Sequence, residues 1–249
     1  NEKLRNKYKP LPLNTVELQK RCARYLKLSS DDTMRICEAL YQKGYISYPR
    51  TETTFFSDGF DLQGLLQLHA SNPTWGSYVQ NLLNGGFMKP RKGKGCDEAH
   101  PPIHPTKQLD ISTAGSNVLN EELVNIGSGF TPSQIFSVYE YITRHFLACC
   151  SKDAVLAETE LQVAIGYEWF NARGVIIKEK NYLDIYKYER QSENSLPPFH
   201  VGEQVGIIDS HVEESVTTVQ LENAFDSIAP ELLSEPELIA MMDKEGIGT

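Results

Sequence analysis

The hydrophobic pattern of this 249-residue chain changes its period close to residue 153. Before that point apolar side chains recur with helical spacing, most strongly across residues 133–150. From residue 155 onward they alternate with polar side chains, which is typical of a half-buried strand. The sequence therefore predicts a mainly helical part followed by a β-rich part. The apolar stripe of the helix at residues 133–150 consists of Ile135, Val138, Ile142, Phe146 and Cys149.

Two helices are predicted near the start of the chain, after a connector at residues 1–13. Asn14 and Glu17 have the spacing of a helix N-terminus, and Ser30 opens a second helix. A short strand at residues 45–50 would complete the helix-helix-strand order of a winged-helix unit. The side chains expected to point inward from the two helices are Leu18, Cys22, Tyr25, Leu26, Met34, Cys37, Leu40 and Tyr41.

The remaining segments alternate between short elements and loops rich in glycine and proline. Ser234 and Glu237 have the spacing of a capping box, which predicts a last helix. Short helices are further expected at residues 61–69 and 74–84, an exposed basic loop at 87–95, a loop at 108–131, and strands at 174–178, 182–186 and 201–207.

Composition excludes some classes of protein. No apolar run reaches the roughly 18 residues that a membrane helix needs, and no basic and apolar leader opens the chain. The cysteines form no C-x-x-C pair and their number is odd, which favours a reducing compartment. They are Cys22, Cys37, Cys96, Cys149 and Cys150.

Charge is distributed unevenly along the chain, although the net charge is −9. Residues 1–107 hold 16 Lys and Arg against 10 Asp and Glu, whereas residues 108–249 hold 8 against 23. A basic first part favours a polyanion that binds to one side only, although solvated surface charge would give the same count.

A tyrosine and an arginine stand two residues apart at the end of the short predicted strand. On an extended segment Tyr48 and Arg50 project to the same side. Pro49 between them has no backbone N–H that could donate a hydrogen bond to a neighbouring strand. A guanidinium binds a phosphate bidentately and stabilises charge that develops during phosphoryl transfer. A tyrosine nucleophile would keep the energy of the broken bond in its phosphodiester, so the break could be resealed without ATP. The pair would also suit ordinary packing and solvation.

A second group of polar residues follows the basic loop. Prolines hold His100 and His104 on a stiff, extended segment, and Lys107 follows them. Together with Arg91 and Lys92 of the loop, His100 and Lys107 suit contacts to phosphates. Zinc is an alternative ligand, because Cys96, His100 and His104 have a C-x3-H-x3-H spacing, but the prolines prevent the helix that usually joins such histidines.

Four segments, in this order and at these spacings, carry a resemblance to a known family. They are "YQKGYISYPRTETT", "DEAHPPIHPTK", "YITRHFLACCSKDA" and "LIAMMDKEGIGT". They resemble the type IA DNA topoisomerases, and within them the eukaryotic topoisomerase III group. Their residues are more similar to those of the alpha and yeast types than to those of the beta type. The resemblance runs from about residue 10 to the last residue, and the first segment is its most specific part.

The resemblance implies roles for individual residues. Tyr48 matches the tyrosine that attacks a single strand and holds its 5′ phosphate, and Arg50 matches the arginine that binds the scissile phosphate. His100 matches a histidine that contacts the DNA backbone near the cleavage site. Gly246 and Gly248, with Ile247 between them, match the start of a loop that touches the bound strand.

The resemblance also implies a division into domains. Residues 1–13 would be a connector from the arch domain, and residues 14–153 a winged-helix-like gate domain that carries the tyrosine. Residues 154–217 would form the second half of a β-rich arch domain. Residues 218–249 would begin the C-terminal part of the domain that lines the single-strand groove. The expected fold is therefore multi-domain, with α and β parts.

Two departures from the family pattern bear on activity. Phe56-Ser57 stands where the family often has Phe-Pro, which is a small change in a loop. The chain also has no D-x-D-x-E cluster, which in the family belongs to a Toprim domain that binds Mg²⁺. The sequence is thus expected to be an internal fragment that binds no metal and is inactive alone, whereas the full enzyme would use Mg²⁺.

The resemblance further implies partners and a location. Single-stranded DNA would be the substrate, a RecQ-type helicase and an OB-fold accessory protein the protein partners, and the nucleus, with the mitochondrion as a second site, the compartment. Two other classes remain open from the residues themselves. One is a non-catalytic winged-helix module that binds DNA, and the other is a zinc-bound interaction domain.

Overall fold

A computed structural model describes residues 2–109, 129–165, 167–189, 193–196, 202 and 231–247. Helices α1 (Thr15–Leu26) and α2 (Ser30–Gln42) come first. The side chain of Asn14 accepts a hydrogen bond from the backbone N–H of Glu17 at 2.9 Å, and that of Ser29 accepts one from Asp32 at 3.1 Å. Both helices thus begin at side-chain caps that satisfy backbone donors with no partner inside the helix.

Two short helices and one long helix complete the helical part. Helices α3 (Leu62–Leu68) and α4 (Gly76–Asn81) are followed by a π-helical turn at Leu82–Gly86. Helix α5 (Pro132–Cys149) begins at a capping box formed by Thr131 and Gln134. Buried side chains lie on nearly every face of α5, which is the pattern of a central core helix.

The β-rich part is a three-stranded antiparallel sheet in the order β1-β2-β3. Its strands are β1 (Glu2–Lys7), β2 (Ala154–Ile165) and β3 (Glu168–Glu179). In the register, Lys7 faces Ala154 and Ala157 faces Ile176. A 3₁₀-helix at Asn181–Asp184 and helix α6 (Glu235–Lys244) follow.

The hydrophobic core surrounds α5. The apolar stripe expected on this helix is fully buried and packs with side chains from α1, α2 and the 3₁₀-helix. Large side chains dominate this core and supply most of the apolar area that folding removes from water. Those with almost no exposed surface include Trp75, Tyr139, Tyr141, Tyr182, Tyr186, Leu18, Ile36 and Leu40.

A buried ammonium group joins the helical part to the sheet. The Nζ atom of Lys9 donates to the carbonyl oxygens of Met88, Lys89 and Ser151 at 3.1, 2.9 and 2.7 Å. Its backbone N–H donates to Asp153 at 2.9 Å. Burial lowers the pKa of Lys9 from its ordinary value. The three acceptors match the three donors of an ammonium group, so this buried group is saturated with hydrogen bonds.

A second buried polar cluster lies beside it. Nε2 of His145 lies 2.8 Å from the carbonyl oxygen of Leu11, and its Nδ1 lies 3.0 Å from the hydroxyl of Tyr186 and 3.2 Å from that of Tyr141. A neutral imidazole that donates from Nε2 and accepts at Nδ1 satisfies this arrangement. Burial lowers the pKa of His145 to about 4, which is consistent with a neutral ring.

The architecture confirms the expected fold class of helices followed by a β-rich part, but several details differ. Residues 2–7 form an edge strand and are not a connector, because they pair with β2. The strand expected at 45–50 is an extended segment with one bridge, between Ile46 and Pro105. The strand expected at 182–186 is wrong, since the 3₁₀-helix occupies it.

One side chain that was expected to point inward does not do so. Tyr41 is not buried, because 44% of its surface is exposed.

Some predicted segments are not covered by the structure. The strand expected at 201–207 and most of the loop expected at 108–131 lie outside the described residues. Across the part of the chain that is described, no helix has the length and apolar character needed to span a membrane. The domain boundaries stay a prediction.

Candidate active site

The segment that contains Tyr48 lies antiparallel to the proline-rich segment that contains His100. The backbone N–H of Ser47 donates to the carbonyl of His104 at 2.9 Å, and that of Thr106 donates to Tyr45 at 2.9 Å. Further along, the hydroxyl of Thr51 reaches the carbonyl of His100 at 3.4 Å. This pairing places residue 100 beside residues 48–51, although the two segments are about fifty positions apart in sequence.

Tyr48 lies between two other rings. It is half-buried, and its ring centroid lies 5.3 Å from that of Tyr41 and 4.6 Å from that of His100. The Tyr41 contact is edge-on, at an interplanar angle of 67°. Among the residues that the structure describes, none forms a hydrogen bond with the hydroxyl of Tyr48. The phenol is thus oriented by ring contacts while its oxygen stays available to a ligand.

Arg50 projects to the solvent side of the same extended segment. Its Nε donates to Oε1 of Glu38 at 3.0 Å, and its Nη2 donates to the same oxygen. Pro49 is buried between the exposed Arg50 and the half-buried Tyr48, so the alternation expected of an extended segment is present without a strand. The hydrogen bond to Glu38 raises the pKa of Arg50, and its Coulombic interactions include a smaller one with Tyr48.

A carboxylate that the sequence analysis missed holds the turn before His100. Oδ1 of Asp97 accepts the backbone N–H groups of His100 and Ala99 at 2.8 and 3.1 Å and the hydroxyl of Thr53 at 3.3 Å. These bonds, led by that of His100, lower the pKa of Asp97 to about 2. Oδ2 lies 3.5 Å from Nδ1 of His100, so this carboxylate also faces the Nδ1 edge of the ring.

The geometry contradicts the zinc alternative. The ring of His104 is buried among Phe56, Phe60 and Phe146, and its Nδ1 lies 2.6 Å from the carbonyl oxygen of Pro102. His104 is therefore a core residue, whereas Cys96 is exposed and His100 packs on Tyr48. No group of three or more metal-ligating side chains is present within the described residues.

Lys107 lies at the opposite end of the paired segments from His100. Its Nζ lies 4.7 Å from the ring centroid of Tyr45, and its carbonyl accepts the hydroxyl of Tyr139 at 2.7 Å. The ammonium group is exposed and directed to the first residues of the extended segment. It is therefore near the backbone of this segment without touching Tyr48.

The basic loop lies along the residues that follow Arg50. Gly93 donates to Thr54 at 2.9 Å, and Thr54 donates to Gly95 at 3.0 Å. An added Cβ at either glycine would overlap residues 52–54, so this approach requires glycine. Nζ of Lys92 lies 5.0 Å from the ring centroid of Phe55.

Arg91 of this loop points elsewhere. Its Nη1 donates to the carbonyl of Lys9 at 2.8 Å, and its guanidinium lies 5.1 Å from the ring centroid of Tyr8. The structure thus directs Lys92 toward the segment after Arg50 and Arg91 toward the junction with the sheet. Neither side chain contacts Tyr48, Arg50 or His100.

The last of the expected site residues follow α6. Gly246 has a φ of 66° and ends the helix, as its N–H donates to Asp243 at 3.2 Å. Gly248 lies outside the described residues. Helix α6 packs against α1, and a side-chain oxygen of Glu235 accepts the backbone N–H of Ser30 at 2.7 Å.

A tyrosine, an arginine and a histidine that converge at an open surface form a site suited to a phosphodiester. The whole chain, residues 1–249, matches the model of a family described as DNA topoisomerase, and the chain therefore belongs to this family. Its relatives place it with the type IA enzymes and are named DNA topoisomerase 3 or 3-alpha.

The similarity to these relatives extends over nearly the whole chain. The chain is 43% identical to DNA topoisomerase 3-alpha of Arabidopsis thaliana over 98% of its length and 41% identical to that of Homo sapiens over 99%. It is 40% identical to DNA topoisomerase 3 of Schizosaccharomyces pombe over 100% of its length. However, it spans only 24%, 22% and 36% of these three proteins.

A solved structure supports the fold. Full-length topoisomerase I from Thermotoga maritima superimposes with a TM-score of 0.55 over 80% of this chain and 30% of that one. The sequence identity is 20%, so this likeness concerns the fold alone.

Proposed function

We propose that the enzyme to which this chain belongs cleaves and reseals single-stranded DNA, with Tyr48 as nucleophile and Arg50 and His100 as ligands of the scissile phosphate. The supporting observation is the contact of the Tyr48 and His100 rings at 4.6 Å, with Arg50 two residues further along the same extended segment. A phosphate that contacts Arg50 and Nε2 of His100 would lie beside the Tyr48 hydroxyl. Such a reaction lets another strand pass through the break, which relaxes negative supercoils or resolves recombination intermediates.

The proposed chemistry exchanges one phosphodiester for another. The Tyr48 oxygen attacks the phosphorus, a bond from phosphorus to this oxygen forms, and the bond to the 3′ oxygen of the preceding nucleotide breaks. The phenol loses its proton, and the departing 3′ oxygen gains one. The product is a 5′-phosphotyrosine and a free 3′ hydroxyl. The reverse reaction restores the strand without ATP, because the number of phosphodiesters does not change.

Arg50 would supply most of the charge stabilisation in this reaction. Phosphoryl transfer builds negative charge on the non-bridging oxygens, and a guanidinium stabilises it through two parallel hydrogen bonds. His100, held by Asp97, would donate or accept at a further oxygen of the same backbone. Because Pro49 is buried and two prolines follow His100, the three groups are positioned before DNA binds.

The strand would continue over the basic loop and the extended segment. Lys92 and Lys107 are exposed on either side of Tyr48, and Arg91 is at the junction with the sheet. These cations suit contacts to phosphates, which position a strand without reading its sequence. Gly246 and Gly248 are proposed to approach the strand from the segment after α6.

Magnesium remains a prediction for the whole enzyme. No described residues of this chain form a group suited to hold it. We therefore assign the metal to a Toprim domain outside this chain. By the same assignment, the isolated chain is expected to bind DNA without cleaving it.

The biological setting is a proposal as well. A RecQ-type helicase and an OB-fold protein are the proposed partners, and the nucleus, with the mitochondrion as a second site, is the proposed location.

The Tyr48→Phe change tests the proposed nucleophile. In the full-length enzyme it should abolish both the covalent adduct with single-stranded DNA and the relaxation of negative supercoils, because only the attacking oxygen is lost. DNA binding should change less than about twofold, since an exposed hydroxyl contributes little to affinity. Gel shift of labelled DNA after denaturation measures the adduct.

Tyr167→Phe is the matched control, since Tyr167 is fully exposed at the β2–β3 turn. It should keep full activity. An adduct that persists in the Tyr48→Phe enzyme would refute the assignment, and a wild-type enzyme that binds DNA without any adduct would support the binding-module alternative.

A further inference from the structure

Helix α2 presents one face to the proposed nucleophile and its arginine. Glu38 and Tyr41 are three positions apart, so they lie on the same side of the helix. Glu38 accepts both hydrogen bonds from Arg50, and Tyr41 packs edge-on against Tyr48. The motif at residues 48–50 is therefore held by two side chains of a single helical turn, one through charge and the other through ring contact.

The hydrogen bonds of Glu38 use a particular edge of Arg50. The donors are Nε and Nη2, which form one of the two edges with which a guanidinium binds carboxylates and phosphates in bidentate fashion. The side chains of Arg50 and Glu38 are 58% and 40% exposed. An arriving anion can therefore reach the pair from solvent, but it can use this edge only when the carboxylate leaves it.

We propose that Glu38 is a positioning residue that occupies the phosphate-binding edge of Arg50 until a DNA phosphate displaces it. This inference rests on the proposed function, because it assumes that Arg50 is a phosphate ligand. Glu38 then has two effects. It holds the guanidinium in place beside Tyr48, and it makes the use of Arg50 conditional on an anion that competes better than a carboxylate.

A DNA phosphate has the properties needed for this displacement. An exposed ion pair contributes little to stability because water and salt screen it, so its loss is a small cost. A phosphate in a strand gains contacts to His100 and to the neighbouring cations at the same time. A free monovalent anion gains only the contact to Arg50. Displacement of Glu38 from this edge of Arg50 therefore favours a DNA strand over small anions.

The exchange also changes which oxygens Arg50 stabilises. In the structure its strongest interactions are with Glu38, and a smaller Coulombic interaction links it to Tyr48. Once a phosphate takes the place of Glu38, the guanidinium acts on the phosphate oxygens beside Tyr48 and no longer on the carboxylate.

The experiment measures the binding of this chain to a fluorescein-labelled oligothymidylate by fluorescence anisotropy at fixed salt. Glu38→Gln should tighten binding by roughly two- to fivefold, the range that an exposed ion pair permits. Glu38→Asp, which keeps the charge but shortens the side chain, should tighten binding as well. In an Arg50→Ala background neither change should alter affinity more than the control change Glu52→Gln does.

Glu52→Gln is the matched control, because it removes an exposed carboxylate two residues from Arg50 that does not touch it. Its effect should be smaller and equal in both backgrounds. The inference is overturned if Glu38→Gln changes affinity no more than Glu52→Gln does, or if its effect persists without Arg50. If Arg50→Ala itself leaves affinity unchanged, the proposed function is what fails, and the inference fails with it. Thermal melting of each variant checks that the fold is intact.

Discussion

A carboxylate orients each of Arg50 and His100. Glu38 binds the guanidinium from α2, and Asp97 binds the backbone and faces the ring of His100. Both carboxylates act on the site without occupying the position beside the Tyr48 hydroxyl. At the residue scale, the orientation of both side chains therefore depends on neighbouring acids.

The Asp97→Ala change tests this dependence for His100. The pKa of Asp97, held at about 2, keeps the carboxylate charged throughout the neutral range. Its loss would release the turn at residues 97–100, and single-strand affinity should fall roughly two- to tenfold, as His100→Ala should also do. The double variant should be no weaker than either single variant, because both remove the same contact. Anisotropy titrations give all three affinities.

Asp58→Ala is the control for this cycle. Asp58 is exposed and pairs with Lys89, away from the His100 turn. Full affinity in the Asp97→Ala variant, together with a loss in the His100→Ala variant, would contradict the orienting role of Asp97.

At this scale the sequence predicted the residues but not their partners. Tyr48, Arg50 and His100 stand in local motifs that carry the family resemblance, and the structure brings the rings of Tyr48 and His100 into contact. Their roles in a reaction stay a prediction. Glu38 is 12 positions before Arg50, and their meeting depends on how α2 packs on the extended segment. Spacing alone does not encode such packing. Asp97 was detectable, since a carboxylate three positions before a backbone donor is a common turn signal.

At the scale of elements, the extended segment at residues 45–54 is held by two different neighbours. The proline-rich segment pairs with its first half, and the basic loop lies along Thr54. Prolines lack the N–H groups that a continuous ladder needs, which explains why the expected strand is reduced to a bridge. The glycines at 93 and 95 then allow the loop to approach where a side chain would not fit.

The Gly95→Ala change tests this close approach. The new Cβ would overlap the carbonyl oxygen of Glu52, which is backbone and cannot rotate away. The free energy of unfolding should fall by about 1–3 kcal/mol, the range typical of overpacking. Urea unfolding followed by circular dichroism measures the loss.

Gly59→Ala is the matched control, because a Cβ there meets nothing within 4 Å. This variant should be as stable as the wild type or slightly more so, since alanine restricts the unfolded chain. Equal stability of the two variants would refute the proposed packing of the loop.

The type of an element could be predicted where the hydrophobic pattern repeats over a long segment, and less well where the segment is short. The stripe of α5 and the alternation of β2 come from repeated burial on one face, so both were confirmed. The 3₁₀-helix at Asn181–Asp184 carries an apolar pattern short enough to fit a strand. Its Tyr182 is buried, and Tyr186, which follows it, is buried in contact with Tyr141 of α5. Residues 2–7 have little apolar character, and pairing with β2 makes them a strand.

For the whole molecule, buried histidines link stability to pH. Burial lowers the pKa of both His69 and His145 to about 4, whereas an unfolded histidine has a pKa of about 6.5. The unfolded chain therefore binds protons that the folded chain does not. Stability should be complete above about pH 6.5 and decline as the pH falls toward 4, by up to about 1.4 kcal/mol per pH unit for each ring.

Urea unfolding between pH 7.5 and pH 5 measures this decline. His145→Gln should be less stable at neutral pH but should show a flatter dependence, since one of the two rings no longer takes up a proton. A wild-type stability that is constant over this range would contradict the neutral state of the two buried rings.

The ammonium group of Lys9 has a mechanical consequence. Two of the crossings between sheet and helices lie near residues 8–13 and 150–153, and Lys9 binds across both of them and to Met88 and Lys89 after the π-helical turn. Pulling the crossings apart would strand a buried charge without acceptors, at a cost of several kcal/mol. A rotation of the helices away from the sheet must then have its axis near Lys9. The displacement is therefore largest for the parts of the helical unit that lie farthest from Lys9.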